Sequence, residues 1–176
     1  MSSLMDAAQR YEFLAQLDRE YEARLRGKIL QRLLQLAFHR AGYRLVDERI
    51  SEGIDFDVIH RAHPDRRYSF EARTTESFLV PVKLEDLRQM DGREAEGYRT
   101  GIAALRIAPG ARWVFIARPW LRPGNLRVSV GNTAGWEELA AEVNARFEEV
   151  ISDTGAQALA EGLEGLQALM DEAKNE

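Results

Sequence analysis

The chain contains no cysteine among its 176 residues. This absence excludes disulfide bonds, thiol catalysis and metal sites with cysteine ligands, and it favours a cytoplasmic protein. The sequence also lacks a G-x-S-x-G elbow, a P-loop and a glycine-rich dinucleotide fingerprint. Serine-hydrolase, kinase and dehydrogenase chemistry therefore have no support in the sequence.

No apolar run approaches the roughly 20 residues that a membrane-spanning helix needs. The first residues, MSSLMDAAQRYEF, lack the basic stretch and apolar segment of an export signal. Hydrophobic residues make up 45% of the chain and charged residues 30%, as in ordinary globular domains. We therefore expect one folded core, no membrane association and a cytoplasmic location.

Lysine is scarce, with 3 among the 24 basic residues, and the charge is unevenly distributed. Residues 24–127 carry 20 basic and 13 acidic side chains, whereas residues 128–176 carry 2 basic and 11 acidic ones. The net charge of −5 therefore conceals a basic middle. Its arginines suit contacts with DNA phosphates, although arginine also serves to solubilise a surface.

Apolar residues recur at steps of three and four from Leu14 to Ala37, which predicts amphipathic helix. Gly27 is expected to divide this region into two helices, and Gly42 to end the second one. Alternating or continuous apolar residues then predict a series of short strands and one helix. The predicted elements are strands at 43–46, 54–59, 68–74 and 78–83, a helix at 84–90, a central strand at 113–117 and a strand at 126–130 that pairs beside it.

After residue 131 the pattern becomes helical again, with one apolar stripe from Trp136 to Val150 and another from Leu159 to Leu169. These two helices either cover the core or form a homodimer interface. The sequence thus predicts an α/β (α+β) domain with a C-terminal helical hairpin. Its expected parts are an N-terminal helix at 1–23, a core at 24–130 and an acidic helical hairpin at 131–176.

Acidic residues on two neighbouring strands form the most informative pattern. Asp55 and Asp57 share one face of the first strand, and Glu71 and Arg73 share one face of the second. Hairpin pairing can bring these faces together. Carboxylates that converge in this way repel one another unless a cation lies between them, and their hard oxygens suit Mg²⁺ or Mn²⁺. A metal held there can activate water for phosphodiester hydrolysis.

The arrangement resembles the PD-(D/E)xK nuclease superfamily, the restriction endonuclease-like fold that includes archaeal Holliday junction resolvases and Mrr-like enzymes. The resemblance covers residues 24 to about 120 and rests on four segments and a strand: GKILQ through Phe38, AGY at 41–43, GID at 53–55, FEARTT at 70–75 and WVFIA at 113–117. It implies a mixed central sheet flanked by helices. It also implies that Asp55 and Glu71 are metal ligands, with the carbonyl of Ala72 as a further ligand and Asp57 as an alternative to Asp55.

The chain departs from the family pattern at two positions. Arg73 stands where the family has lysine, and Gln31 stands where its first helix often has glutamate. Arginine keeps the positive charge but is a poor acid or base, so this exchange lowers the odds of catalysis. Lys83, on the next predicted strand, is a candidate for a migrated lysine, and Gln31 for a residue that positions water or metal.

Three interpretations follow from these residues. The first is a Mg²⁺-dependent or Mn²⁺-dependent DNA endonuclease-like protein that uses Asp55, Glu71, Gln31 and either Arg73 or Lys83. The second is an inactive member of the same fold that binds DNA or a protein and dimerises through its C-terminal helices. The third is a small α/β protein with no nucleic-acid role, in which the carboxylates form a solvated hairpin face with cross-strand ion pairs.

Overall fold

The computed structural model of the protein describes residues 6–46 and 55–176. Within these residues the chain forms a five-stranded mixed sheet, a separate two-stranded sheet and four α-helices, which confirms the predicted α+β class. A single turn of 3₁₀-helix, Arg118–Trp120, follows the last strand of the larger sheet. In chain order the elements are α1 (Ala7–Glu20), α2 (Ala23–Arg40), β1 (Tyr43–Leu45), β2 (Phe56–His60), β3 (Arg67–Thr75), β4 (Leu79–Val82), α3 (Leu84–Ala95), β5 (Arg99–Arg106), β6 (Trp113–Ala117), β7 (Gly124–Arg127) and α4 (Glu137–Asn175).

The five-stranded sheet has the order β1-β2-β3-β5-β6. The first three strands form an antiparallel meander in which Phe56 pairs with Phe70, as the predicted hairpin requires. β5 then runs parallel to β3, because the chain crosses over through α3 before it returns to the sheet. This topology places Asp55, immediately before β2, beside the middle of β3.

The prediction that Gly27 divides the first helical region is wrong, because Gly27 lies inside α2. The helices separate instead at Tyr21 and Glu22, both of which have extended backbone. The hydroxyl of Tyr21 donates a hydrogen bond to the carbonyl of Leu159 at 2.7 Å, a distant contact that local periodicity cannot reveal. The predicted end of α2 is confirmed, since Gly42 follows with φ at +96°.

The prediction that residues 113–117 form a central strand is wrong. β6 lies at the edge of the sheet, and β5 lies between it and β3. No strand was predicted at 99–106. The segment Gly101–Leu105 is buried throughout and contains two alanines, so it shows neither alternation nor strong β-propensity.

The segments at 78–83 and 126–130 were also assigned to the wrong partners. β4 is not a third core strand: it pairs with β7 in a separate two-stranded sheet, with Pro81 opposite Asn125. β7 correspondingly does not pair beside β6. Proline has no backbone N–H, so it is poorly suited to a central strand of the larger sheet.

Two hydrophobic cores lie on the two faces of the larger sheet. On one face, the ring of Phe38 packs against four other aromatic rings at centroid distances of 5.3 to 5.9 Å. These rings belong to Tyr43, Phe56, Phe70 and Phe115. The helices α1, α2 and α4 contribute to the same core, whereas a smaller core on the other face joins α3 and β4 to β5 and β6.

The chain reverses within α4 at Gly162, whose φ of 61° and ψ of −136° are not helical. Asp153 before it and Glu176 after it both pair with side chains of the last two residues of α2. Gly162 itself lies beside the ring of Tyr21, just before the start of α2. The two arms of α4 therefore run in opposite directions along α2 and form the predicted helical hairpin.

The predicted leucine stripe at 159–169, most of which lies in the second arm, packs on the chain's own core together with two apolar residues that follow it. This accounts for the stripe without a second subunit, and a homodimer through these helices remains a prediction. The residues involved are Leu159, Leu163, Leu166, Leu169, Met170 and Ala173. None of the helices in residues 6–46 and 55–176 is both long and apolar enough to cross a membrane.

Candidate functional site

The antiparallel pairing of β2 and β3 brings the two acidic motif residues together. The backbone N–H of Asp55 donates to the carbonyl of Phe70 at 2.9 Å, and its Oδ2 accepts a hydrogen bond from the N–H of Ala72 at 2.7 Å. The side chain of Asp55 therefore lies against the backbone of β3, next to Glu71. Its negative charge is close enough to raise the pKa of Glu71.

A pocket of about 240 Å³ opens between the first half of α2 and β3. We call it the acidic-motif pocket. Four of the predicted site residues line it, and two cationic residues of α2 line it with them. These six residues are Gln31, Asp55, Ala72, Arg73, Arg24 and Lys28.

Glu71 does not line the pocket but contacts Arg73, which does. Its side chain is buried, and its Oε2 has no hydrogen-bond partner among the residues that the structure describes. Burial, followed by the charge of Asp55, raises the pKa of Glu71 to about 7, although the Arg73 guanidinium opposes this shift. A buried carboxylate oxygen without a partner is costly, so this atom is suited to accept a cation or a hydrogen-bond donor.

Arg73 joins the strand to α3. Its guanidinium contacts Glu71 and also lies 3.0 Å from Oδ2 of Asp86. The same Asp86 oxygen accepts the backbone N–H of Lys83 at 3.0 Å, which fixes the beginning of α3. The sequence interpretation missed Asp86 as part of this cluster, although its position in the first turn of a predicted helix marked it as a capping acid.

Lys28 is a second cation that the sequence interpretation did not assign to the site. Its Nζ lies 3.8 Å from Oδ1 of Asp55 and 3.3 Å from Oε1 of Gln31. Lys28 and Gln31 are three residues apart on one helix, so they share a face, and this spacing was the available signal. Gln31 is buried, and within residues 6–46 and 55–176 its Nε2 has no hydrogen-bond partner, so this donor can orient a ligand oxygen.

Asp57 is separated from this pocket by its own partners. It is buried, accepts a hydrogen bond from the hydroxyl of Ser69 and pairs with Arg93 of α3. The alternative in which Asp57 replaces Asp55 as a ligand therefore finds no geometric support. Arg93, which the sequence offered as a phosphate contact, is equally buried in this ion pair.

Lys83 also lies outside the pocket. Its residue is exposed at the start of α3 and is not among those lining the cavity. The idea of a migrated lysine at this position therefore lacks the required juxtaposition. The lysine that the structure places beside Asp55 is Lys28 of α2, whose Nζ lies 3.8 Å from Oδ1.

The residues present fit a magnesium ion only with a small set of protein ligands. No group of three or more histidine, aspartate or glutamate side chains in the described ranges is arranged to hold a metal. Magnesium, however, usually keeps several waters and binds through one or two carboxylates. Asp55 and Glu71, with the unpartnered Oε2 of Glu71, match that requirement.

Comparison of the chain with protein-family models, with curated proteins and with solved structures gives no match. The relationship to PD-(D/E)xK nucleases therefore remains a prediction from the sequence motif.

The raised pKa of Glu71 predicts a specific dependence of stability on pH. The folded protein holds the Glu71 proton up to about pH 7, whereas an exposed glutamate releases it near 4.5. The Glu71 carboxyl therefore makes its full contribution to the free energy of unfolding below about pH 4.5, and this contribution is lost as the pH rises through 7. Between pH 5 and pH 8 we expect the wild type to lose roughly 2–3 kcal/mol more unfolding free energy than Glu71→Gln does.

Urea denaturation of both proteins across this pH range measures the difference. Groups that titrate in both proteins cancel when one curve is subtracted from the other. Glu164→Gln, the same change at an exposed position of α4, is the control and should follow the wild type. Parallel curves for the wild type and Glu71→Gln would contradict the assignment of a raised pKa.

Proposed function

We propose that the protein is a Mg²⁺-dependent or Mn²⁺-dependent endonuclease-like protein that hydrolyses phosphodiester bonds of DNA in the cytoplasm. The observation that carries this proposal is the meeting of Asp55 and Glu71 beside a pocket, with one buried Glu71 oxygen left without a partner. Two adjacent carboxylates are unfavourable unless a cation compensates their charge. The resemblance of the motif to PD-(D/E)xK nucleases agrees with this chemistry.

Asp55 and Glu71 would hold the metal, with the Ala72 carbonyl as a further ligand. A bound Mg²⁺ lowers the pKa of a coordinated water and stabilises negative charge on a phosphate. The chain's own residues bind and orient the substrate. Lys28 lies at the pocket mouth with its side chain 48% exposed, so it can reach a phosphate oxygen.

Gln31 and Arg73 have complementary positions in this proposal. The unpartnered Nε2 of Gln31 can donate a hydrogen bond to a water or a phosphate oxygen in the pocket. Arg73 is held between Glu71 and Asp86, so its charge is fixed rather than mobile. Its permanent charge suits electrostatic stabilisation and not proton transfer.

A second candidate is an inactive member of the same fold that binds DNA or a protein partner. The observation favouring it is that both motif carboxylates already have cations of the chain nearby, Arg73 for Glu71 and Lys28 for Asp55. Internal cations of this kind can stabilise the acidic pair without a metal. Under this candidate, magnesium leaves the thermal stability unchanged.

A thermal melt in EDTA, Mg²⁺ and Mn²⁺ tests the proposed metal site. A ligand that binds only the folded state raises its stability by about 2.7 kcal/mol at a hundred times Kd, which corresponds to a melting temperature about 5 °C higher or more. We expect this rise for the wild type at about pH 8, where the Glu71 carboxyl is ionised. Glu71→Gln should show no rise.

Glu164→Gln again serves as the matched control, because it removes the same charge at an exposed position that does not line the pocket. It should respond to metal as the wild type does. A wild type whose melting temperature is the same in EDTA and in both metals would contradict the metal site and favour the second candidate.

A further inference from the structure

A second cavity, also about 240 Å³, opens at the carboxyl end of β3. We call it the Phe78 cavity. Arg73 lines the acidic-motif pocket and Thr75, two residues further along the same face of β3, lines the Phe78 cavity, so the two openings lie near each other at one end of the strand. Most of the Phe78 cavity's wall is apolar, with alanine, proline and valine side chains between a few polar ones.

Phe78 stands at this cavity with 52% of its surface exposed. The guanidinium of Arg106 lies 3.7 Å from its ring centroid, a cation–π contact that holds the ring in place. The Nε atom of Arg106 is buried and has no hydrogen-bond acceptor in the described part of the chain. Arg106 covers one face of this exposed ring and fixes its orientation, and the other face is the surface that can stack a planar group.

Unpaired positive charge surrounds the same opening. Arg106 and Arg112 line the cavity, and Arg127 lies opposite Leu79 in the β4–β7 ladder. None of these three arginines forms an ion pair with a carboxylate of the described residues, whereas those at 73, 93 and 118 all do. Glu76 is the one acidic residue in the neighbouring segment 75–78. The net charge therefore favours an anionic partner.

We propose that the Phe78 cavity receives an unpaired base of a DNA strand, stacked on Phe78, while Arg106, Arg112 and Arg127 contact the adjoining phosphates. Proteins that hold single strands combine a basic groove with aromatic rings on which bases stack. This inference rests on the proposed function, because DNA is the substrate there. It adds the substrate class: DNA with an unpaired or extruded nucleotide beside the phosphodiester bond.

The size and position of the cavity agree with one base. Pockets for drug-sized ligands measure about 300–1,000 Å³, so a cavity of this volume suits a single heterocycle. Arg73 and Thr75 share one face of β3 and are about 7 Å apart along the strand. A single DNA strand can therefore place a phosphate near the acidic-motif pocket and a neighbouring base near Phe78.

The test uses oligonucleotides that carry one 2-aminopurine, either unpaired opposite a gap or fully paired in a duplex. Binding is measured in EDTA, so that it does not depend on metal or cleavage. We expect the wild type to quench the unpaired 2-aminopurine by stacking. Phe78→Ala should abolish the quenching and weaken binding of the unpaired substrate by about tenfold, while Phe78→Trp retains both.

Leu79→Ala is the matched control, since Leu79 is 45% exposed but does not line the cavity. Arg106→Gln should weaken binding and reduce its dependence on salt. Equal affinity and quenching for the wild type and Phe78→Ala would overturn the inference, even if metal-dependent cleavage is found. Loss of quenching in Phe78→Ala without any metal-dependent cleavage would support the base site and contradict the catalytic proposal. Failure of the wild type to bind DNA at all would overturn both.

Discussion

Glu71→Gln is expected to lower metal-dependent DNA cleavage by at least about 100-fold. Mutating a residue that only hydrogen-bonds to a metal ligand typically costs about 10- to 100-fold in activity, and loss of a ligand itself should cost at least as much. Glutamine keeps the shape of the side chain but removes the charge that would bind the cation. The unpartnered Oε2 of Glu71 is the atom whose role changes most. Cleavage of supercoiled, linear and gapped DNA in Mg²⁺ and Mn²⁺ measures the loss.

The matched control is Glu164→Gln, which should cleave at the wild-type rate. Urea denaturation at about pH 8 establishes that Glu71→Gln remains folded. By the argument from its raised pKa, this variant should be at least as stable as the wild type there. Full cleavage activity in a folded Glu71→Gln protein would disprove the assignment of Glu71 as a metal ligand.

The largest loss of stability is expected for Asp57→Ala. Asp57 and Arg93 form an ion pair whose side chains are 1% and 5% exposed. Removing the aspartate takes away the buried charge partner of the Arg93 guanidinium and leaves it paired with Glu96, whose side chain is 52% exposed. Breaking a buried pair in this way typically costs about 3–5 kcal/mol, and urea denaturation at neutral pH measures it.

A surface pair provides the comparison. Asp153 lies 2.6 Å from Arg40 and its side chain is 50% exposed, so Asp153→Ala should cost no more than about 1 kcal/mol. Replacing Asp57 and Arg93 together by leucine and methionine should cost less than Asp57→Ala alone, because no buried charge remains. A loss below about 1 kcal/mol for Asp57→Ala would contradict the structural role of this pair.

Together the Glu71 and Asp57 variants distinguish the roles of two carboxylates on one face of the sheet. Asp57 and Glu71 project to the same side of neighbouring strands, so their sequence patterns are equivalent. Asp57 accepts from the hydroxyl of Ser69 and pairs with Arg93, whose guanidinium also pairs with Glu96. Glu71 shares Arg73 with Asp86, and one of its oxygens has no hydrogen-bond partner among the described residues. We expect Asp57 to maintain the fold and Glu71 to bind the metal at the candidate site.

The features that the sequence determined are those set by contacts between near neighbours in the chain. Gly42 ends α2 because its left-handed backbone is a local requirement. The alternation of apolar and polar residues in the predicted strands at 54–59 and 68–74 favours the β2–β3 pairing, and the register of that pairing brings Asp55 to Ala72. The mixed α+β class and the helical hairpin follow from hydrophobic periods of the same local kind.

The tertiary structure decided what depends on partners far along the chain. β5 lies between β3 and β6 and is covered on both faces of the sheet. Its residues are therefore apolar on both sides, so its sequence lacks the alternation that predicts a strand. Lys28 lines the pocket because α2 packs along β3. Asp57 does not line it and pairs instead with Arg93, which is 36 residues away in the sequence. The same acidic residue type thus became a candidate ligand at position 55 and a buried ion pair at 57, because burial and charge partners act through space and not through sequence spacing.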